Sequence, residues 1–448
     1  MKISKIIFSS KHITAKLLII AILSSTFYQF LPDKIDTIII FLPQLILSIY
    51  ALVIMYRYIK RVYIPSKFSK VILNLTLILT VYYAFLVFYR YFTNGNITQS
   101  IYHIITIFSA IILFFIIDVG IQKPKDAYFD LFLSITLINI LQIIVSIYIN
   151  SIRFSFVLQN IMIYISCTCL MVPFLFYTLS TTSKSYIKYI SILNLIIIFV
   201  ANFASGSRIG LVVVIFSYII SMAINIGENK KFLYHCGITM LTSILIILSF
   251  YNFNYMDIKT SILRQTIAYI DINQNTDINN QITASVELIE NSSKNSSVIE
   301  EDHKQYVLDG INSSNSVRAD LWKRSFEEIM KKPIFGTGII SFDVNYLGQT
   351  VMQGAHNFIL ESILIFGSLG GIMYLILLAF PPLLIIIIAL KYRIKLKLLL
   401  NFVVSLGTLF SVALVQPILT AALPIMLYWI LSGIVAYNII IGSTNVDM

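Results

Sequence analysis

The sequence predicts an all-α membrane protein of about twelve transmembrane helices with one long hydrophilic loop, and three observations carry this prediction. Hydrophobic residues make up 58% of the 448 positions and charged residues 12%, against roughly 25% charged in a typical soluble domain. Apolar runs of roughly twenty residues, the length that crosses the hydrocarbon layer, recur along the chain. Lysine and arginine cluster in the short segments between these runs, as a topology signal does.

The apolar runs define the predicted helices. They fall near 13–31, 36–56, 71–91, 97–118, 127–149, 155–179, 187–205, 209–226, 233–251, 357–390, 397–415 and 418–441. In the run 357–390, Gly367, Gly370 and Gly371 interrupt the apolar sequence early, which predicts a short helix or re-entrant piece before the true span. Backbone groups freed by such a break are tolerated in a membrane only where protein or water satisfies them.

Basic residues in the short loops predict how the helices are oriented. One set of alternate segments carries nineteen lysines and arginines. The opposite set carries four, namely Lys34, Arg90, Arg153 and Arg208. Because basic loops stay in the cytoplasm, both termini are predicted to be cytoplasmic and 252–355 is predicted to lie outside.

The long loop divides the chain into three parts. Residues 1–251 carry membrane helices one to nine, 252–355 form the outer (periplasmic) loop, and 356–448 carry helices ten to twelve. Within the loop, 271–316 is rich in Asn, Ser, Asp, Glu and Gln and poor in aromatic residues, which predicts a flexible excursion.

Amphipathic helices are predicted on both sides of that excursion, at Met256–Ile270 and at Val317–Met330. The apolar pattern of the second one is formed by Leu321, Trp322, Phe326 and Ile329. Such helices are expected to lie on the outer surface over the membrane bundle. Pro333 ends the second helix, and the glycines that follow predict a turn.

Several classes of function find no support in the sequence. The net charge of +11 is spread over short clusters and forms no continuous basic face, so nucleic-acid binding is not indicated. Signatures of nucleotide hydrolysis, dinucleotide binding and zinc or serine hydrolysis are absent from the chain. The three cysteines indicate neither a disulfide framework nor a cysteine-built metal site. We therefore expect no cofactor, and because nucleotide hydrolysis is not supported, the substrate itself or a gradient must supply the energy for any reaction.

Arginines on the predicted outer face form the first candidate site. They are Arg90, Arg153 and Arg208 at the outer ends of spans, and Arg264, Arg318 and Arg324 in the loop helices. A guanidinium holds phosphate through two parallel hydrogen bonds and keeps its charge, which suits a lipid-linked diphosphate at that depth. The alternative is that each arginine only reaches towards the interface or pairs with a loop carboxylate, and this alternative weighs most on Arg90 and Arg153.

His356 is the second candidate, because it opens the next membrane segment close to water. A neutral imidazole there accepts a proton near pH 7, as a general base must. The alternative is a histidine that is merely hydrogen-bonded at a helix end.

These residues lie in strings whose order resembles that of a known superfamily. The strings are Ser205-Gly206-Ser207-Arg208 before a span, Arg318-Ala319-Asp320-Leu321-Trp322, Pro333-Ile334-Phe335-Gly336-Thr337-Gly338, and His356-Asn357 followed by Gly367 and Gly370. Together, across one long outer loop, they resemble the O-antigen ligase and polysaccharide polymerase superfamily over roughly 185–375. Outside that region the resemblance consists of topology alone.

The resemblance implies a metal-independent glycosyltransferase with a membrane-embedded fold of the glycosyltransferase C type, acting on a glycan linked to undecaprenyl diphosphate. By position, Arg208 and Arg318 would bind the diphosphate and stabilise its departing charge, and His356 would orient or deprotonate the acceptor hydroxyl. The further predicted substrate-binding residues are Arg90, Arg153, Arg264, Arg324 and Asn357. Arg324 follows Arg318 by six residues and faces another direction on one helix, so Arg318 ranks above it.

Three functions stay open. A ligase would move the finished glycan onto the lipid A core of lipopolysaccharide, whereas a polymerase would use a second lipid-linked repeat unit as acceptor. A transporter would bind the same lipid but perform no chemistry, and it is the weakest of the three because such proteins commonly show two repeats around a polar site at the midplane. The single long outer loop favours the ligase, in the bacterial inner membrane.

Overall fold

A computed structural model describes residues 12–27, 33–60, 67–92, 97–118, 123–149, 161–205, 207–226, 230–252, 317–339, 341–346, 349–392, 396–415 and 422–444. The predicted flexible stretch 271–316 and the predicted helix at Met256–Ile270 lie outside these residues, as do Arg153 and Arg264.

Helices dominate the described residues. Before the long loop they are α1 (Ile13–Phe27), α2 (Asp33–Ile59), α3 (Lys67–Phe92), α4 (Ile97–Asp118), α5 (Pro124–Ile149), α6 (Ile161–Thr181), α7 (Ser185–Ala204), α8 (Arg208–Asn225) and α9 (Lys230–Asn252). Within the loop comes α10 (317–331). After it come α11 (Phe358–Tyr392), α12 (Leu396–Ala413) and α13 (Ala422–Thr444).

Each of the twelve predicted apolar runs coincides with one of these helices, and α10 is a thirteenth helix, in the long loop. The predicted all-α membrane fold is therefore confirmed. By length and composition, seven helices of the described residues are able to cross a membrane, and five further apolar helices are shorter. The exact number of crossings stays a prediction.

A small hairpin in the long loop was not predicted from the sequence. Strands β1 (Phe342–Tyr346) and β2 (Gln349–Gln353) pair antiparallel, with Phe342 opposite Gln353. The hairpin follows α10 and leads directly into Gly354, Ala355 and His356. It therefore connects the loop helix to the start of α11.

The centre of the bundle is α13, which is buried almost all round and packs against α4, α5 and α11. Its Trp429 is fully buried and meets Phe114 of α4 edge-on, with 6.2 Å between ring centroids. At the rim, α3 and α9 expose many apolar side chains instead. A helix that is apolar on all sides belongs in a protein core or against lipid. Helix α13 therefore marks the inside of the bundle, and α3 and α9 mark its lipid-facing outside.

Buried polar pairs fix the relative direction of neighbouring helices. At the end of α8, the Asn225 amide donates to Asn401 Oδ1 near the start of α12 over 3.1 Å, so α8 and α12 run antiparallel. In another part of the bundle, the buried Asp130 carboxylate accepts from Thr14 Oγ1 at 2.7 Å and from the Ala15 amide at 3.1 Å. Asp130 thus caps the first turn of α1 from α5 and brings the two helix starts to one end.

Candidate functional site

The predicted break in the tenth apolar run is present at Gly367. There α11 leaves the helical conformation, with φ 74° and ψ 172°. The piece before the break, from Phe358, is about 13 Å long at 1.5 Å per residue, which is too short to cross roughly 30 Å of hydrocarbon. The sequence prediction of a short helix before the true span is therefore confirmed.

The turn after α10 packs directly onto this break. A Cβ atom added to Gly367 would lie 1.9 Å from the Ile334 carbonyl oxygen, and one added to Gly336 would lie 2.5 Å from the Gly367 nitrogen. Gly336 and Gly338 both have positive φ, 66° and 77°. Only glycine allows two backbones to approach so closely in these conformations. The Pro333–Gly338 string and Gly367 are thus two halves of one junction.

Protein donors satisfy the carbonyl groups that the break frees. The Leu364 oxygen accepts from the Thr337 and Gly338 amides, each at 3.0 Å. The next two oxygens, of Ile365 and Phe366, accept from the Arg90 guanidinium and, at 3.0 Å, from the Tyr82 hydroxyl. A break at membrane depth requires such partners, and α3 and the turn supply them.

Arg90 is held inside this junction. Its side chain is 2% exposed, and its guanidinium also donates to the Phe335 oxygen at 3.2 Å. The carbonyl end of the short helix carries partial negative charge, which a cation stabilises. The contacts that the structure gives Arg90 are therefore with the protein, and its predicted role in substrate binding stays a prediction.

Asn357 begins α11 and ties it to α12. Its Oδ1 accepts from the amides of Ile359 at 2.9 Å and Leu360 at 3.2 Å, the pattern of a helix N-cap. Its Nδ2 donates to the Leu414 oxygen at 3.1 Å, at the end of α12. His356, directly before the cap, is half-buried and has a φ of 50°. Non-glycine residues rarely adopt this left-handed conformation, so the backbone at His356 is held by its surroundings.

Arg208 is the first residue of α8. Ser207 precedes it as the N-cap and accepts from the Gly210 amide at 3.2 Å, while the Ser207 amide donates to Ser205 Oγ at 3.1 Å. The string Ser205–Arg208 is thus a self-capped turn into the helix. The start of a helix attracts anions and disfavours a cation, so a basic residue at this position gains from a bound anion.

The ends of α8 and α12 bring Arg208 and His356 to the same end of the bundle. Asn225 at the far end of α8 bonds to Asn401 near the start of α12, so the start of α8 lies level with the end of α12. That end of α12 receives the Asn357 amide. Arg208 and Asn357 are 149 positions apart in the sequence. They nevertheless lie at one end of the molecule, and His356 lies there with Asn357.

The third predicted catalytic residue, Arg318, reaches this end through the hairpin. Val317 and Leu321 on either side of it are buried and pack with Phe342 of β1. Phe342 lies opposite Gln353, which precedes His356 by three residues. Arg318 itself is half-buried in the first turn of α10.

Arg324 faces elsewhere, as its spacing from Arg318 predicts. Its Nε lies 2.8 Å from Asp320 Oδ2, and its Nη1 donates to the Asp343 oxygen at 3.0 Å. Arg324 thus joins α10 to the hairpin. Of the predicted residues, the structure brings Arg208, Arg318, His356 and Asn357 to one end, with Arg90 behind the turn.

Sequence reasoning passed over two features of this site. Tyr82 and its neighbour Tyr83 donate to the carbonyls around the break, Tyr83 to Gly370 at 3.2 Å. Glu361 is a buried carboxylic acid in the first turn of α11, five residues after His356. The signal for Glu361 was a lone acid inside an apolar run, which marks a functional position in membrane helices. The tyrosines left no comparable signal.

Among the described residues, no group of three or more His, Cys, Asp or Glu is arranged to hold a metal ion. That the reaction needs no metal ion stays a prediction.

Comparison with known protein families finds a similarity that covers this region. Residues 193–375 match the sequence profile of a family described as O-antigen ligase. No curated protein matches the chain. The matched region runs from within α7 to just beyond the break in α11, and it contains Arg208, Arg318 and His356. Residues 193–375 are therefore similar to the O-antigen ligase family, and they lie within a multi-pass all-α membrane protein.

Proposed function

We propose that this protein is an O-antigen ligase, which transfers a glycan from undecaprenyl diphosphate to the lipid A core of lipopolysaccharide at the outer face of the bacterial inner membrane. The observation that supports it is the convergence of Arg208, Arg318 and His356 at one end of the bundle, inside the region that matches the family. The family supports the broader activity, that of a membrane glycosyltransferase of the ligase or polymerase type.

In the proposed reaction, the bond between the anomeric carbon and the diphosphate oxygen breaks as the acceptor oxygen attacks that carbon. The departing diphosphate gains negative charge in the transition state, where fixed guanidinium groups contribute most. Arg208 and Arg318 stabilise that charge. His356 takes the proton from the acceptor hydroxyl, which is a poor nucleophile without a base. The bond to the lipid diphosphate supplies the driving force, and the two guanidinium groups take the place that a metal ion would have at the departing diphosphate, so we propose a reaction without metal or cofactor.

Asn357 and Arg90 act on this site in different ways. Asn357 fixes the start of α11 and its distance from α12, so it holds His356 in place in addition to its predicted contact with substrate. Arg90 holds the turn against the break and so positions the segment between His356 and Gly367.

The polymerase is the alternative within the same superfamily, because it uses the same donor and the same motif set. A single long outer loop favours the ligase, since a polymerase is expected to enlarge a second outer loop around its growing chain. A transporter would bind the same lipid diphosphate but would perform no chemistry, so it would not need a base at His356.

The test is to delete the gene and separate the surface polysaccharides on a gel, with complementation by the wild type and by His356→Ala. A ligase predicts lipid A core without O-chain, with long polymer accumulating on the polyprenyl carrier. Core bearing a single repeat unit, with no long chains anywhere, would instead identify a polymerase.

A purified assay separates chemistry from transport. Wild-type protein in proteoliposomes is expected to transfer glycan from the lipid diphosphate in the presence of EDTA, and His356→Ala is expected to transfer none while it binds the donor. Loss of activity in EDTA, restored by a divalent cation, would contradict the metal-independent mechanism. Equal transfer by His356→Ala and wild type would overturn the assigned base.

A further inference from the structure

Helix α10 has two different faces. Val317, Leu321 and Ser325 are buried against the protein. On the other side Trp322, Phe326 and Met330 are 42%, 57% and 75% exposed. Residues four apart advance by about 40° around a helix, so these three side chains form one apolar stripe about 80° wide. The exposed fraction rises along the helix towards Met330, and Ile334, just beyond the helix, is also exposed.

The end of this stripe lies at membrane depth. Phe335, just beyond it, packs on Phe85 and Tyr89 of α3, with ring centroids 5.9 and 5.0 Å apart. Phe85 is seven residues before the end of α3 at Phe92, which places it about 10 Å below that end at 1.5 Å per residue. Phe335, which follows α10 by four residues, therefore lies below the end of α3, a helix that is apolar and long enough to cross the membrane.

The neighbouring surface of α3 is itself lipid-facing. Phe85, Phe88 and Phe92 are all exposed on a helix that is apolar and long enough to cross the membrane. The apolar stripe of α10 continues this surface through Ile334. Aromatic side chains are enriched at the level where spans meet the headgroups.

Charged residues, more of them basic than acidic, lie beside the stripe. Lys323, Lys331 and Lys332 are exposed in and just after α10, as is Glu327, and Lys331 also pairs with Glu328 over 2.5 Å. An apolar face with lysines beside it matches a bilayer surface, where acyl chains take the apolar side chains and lipid phosphates attract the ammonium groups. A soluble partner would not account for the position of Phe335 below the rim.

We propose that α10 is an interfacial anchor whose Trp322–Phe326–Met330 stripe binds the acyl chains of the outer leaflet, at the edge of the bundle. Arg318 lies one turn before Trp322 on the same helix, so the anchor holds this arginine near the depth of the lipid phosphates. The contact with lipid stands independently of which glycosyl transfer the protein performs.

The two tryptophans of the chain make a direct test. Trp429→Phe leaves Trp322 as the only one, and Trp322→Phe leaves the buried Trp429 as the matched control. Each variant is placed in nanodiscs of phosphatidylethanolamine and phosphatidylglycerol that contain a phosphatidylcholine with a nitroxide high on its acyl chain. Because an interfacial helix sits about 5–10 Å into the headgroup and acyl boundary, we expect that nitroxide to lower Trp322 emission by about half.

Aqueous iodide is expected to quench Trp322 weakly, and both quenchers are expected to leave Trp429 largely unaffected. Strong iodide quenching of Trp322 with no response to the lipid nitroxide would overturn the anchor and point to a water-facing surface for a glycan or a protein.

A second measurement covers the case in which Trp429→Phe does not fold. The three cysteines of the chain are buried, so Met330→Cys adds one reactive thiol for an environment-sensitive fluorophore. The label at position 330 is expected to report an apolar surrounding and to respond to the same nitroxide, whereas a label on Lys323→Cys is expected to report water. A water-like signal at both positions would contradict the proposal.

Discussion

Arg90 and Arg318 lie in different surroundings, although both belong to the arginines that the sequence predicts on the outer face. Arg90 is buried and donates to protein carbonyls at the break in α11. Arg318 is half-buried at the start of α10, about four helical turns from the turn that Arg90 holds. We therefore expect substitutions at the two positions to separate stability from activity.

Arg90→Leu is expected to destabilise the protein by about 3 kcal/mol, because buried carbonyl groups at the break lose a charged donor. The measurement is the thermal unfolding midpoint in detergent, together with the amount of protein recovered from membranes. Arg324→Leu is the control, since that arginine is exposed and its pair with Asp320 is worth little. An unchanged midpoint for Arg90→Leu would contradict the junction described above.

Arg318→Lys is expected to lower the rate of glycan transfer by roughly 10²-fold with an unchanged unfolding midpoint. Lysine keeps the charge but lacks the planar fork that binds phosphate bidentately, and loss of one such transition-state contact costs about that much. Arg324→Lys, six residues on, is expected to retain most of the activity. Equal losses in both variants would argue that the basic character of α10 matters and not the position of Arg318.

At the scale of the elements, the junction between the Pro333–Gly338 turn and Gly367 carries the geometry of the site. The turn follows α10, and the break follows the short helix that His356 precedes. The contact between the turn and the break therefore fixes the position of α10 relative to this short helix. The three glycines at this contact have positive φ, and two of them touch backbone so closely that no side chain fits. The glycines of the motif therefore have a packing role, whereas the roles proposed for His356, Arg208 and Arg318 are chemical.

Gly367→Ala is expected to cost at least about 4 kcal/mol, since the added methyl would overlap the Ile334 carbonyl in a backbone conformation that alanine rarely adopts. Gly407→Ala in α12 is the matched control, because nothing lies within 4 Å of its Cβ position. That control is expected to be neutral or stabilising by about 0.5–1 kcal/mol, as alanine is the better helix former. Size-exclusion profiles and unfolding midpoints of the two variants provide the measurement, and similar behaviour of both would refute the close contact.

At the scale of the whole molecule, the direction of the bundle in the membrane follows from the positive-inside pattern. Lys184 lies in an exposed turn between α6 and α7 on the predicted cytoplasmic side, and Lys323 lies in α10 on the predicted outer side. Since the native cysteines are buried, a single added thiol reports its own side.

In spheroplasts, a membrane-impermeant maleimide is expected to label Lys323→Cys at once and Lys184→Cys only after lysis. Labelling in the reverse order would invert the predicted topology and would place the candidate site on the cytoplasmic face. Labelling of both without lysis would show that the spheroplasts are leaky, which a cytoplasmic marker enzyme controls for.

The sequence by itself determined the membrane class, the positions of the twelve apolar helices, the break within the tenth apolar run and the strings that resemble the family. These features depend on local composition, since hydropathy over about twenty residues reports how a segment partitions into lipid. Gly367 belongs with them, because a glycine in an apolar run marks a break without knowledge of its partners.

Only the tertiary structure decided which side chains donate hydrogen bonds to the carbonyls at that break and which face of α10 is buried. Arg90 and Tyr82 lie 275 and 284 residues from the carbonyls that they satisfy, and no periodicity links positions so far apart. Along α10, the sequence places Leu321 and Trp322 in one apolar pattern, yet the structure buries Leu321 and exposes Trp322. Protein interior and lipid are both apolar, so hydrophobicity does not distinguish them. Packing against the hairpin determines which apolar face of α10 is buried.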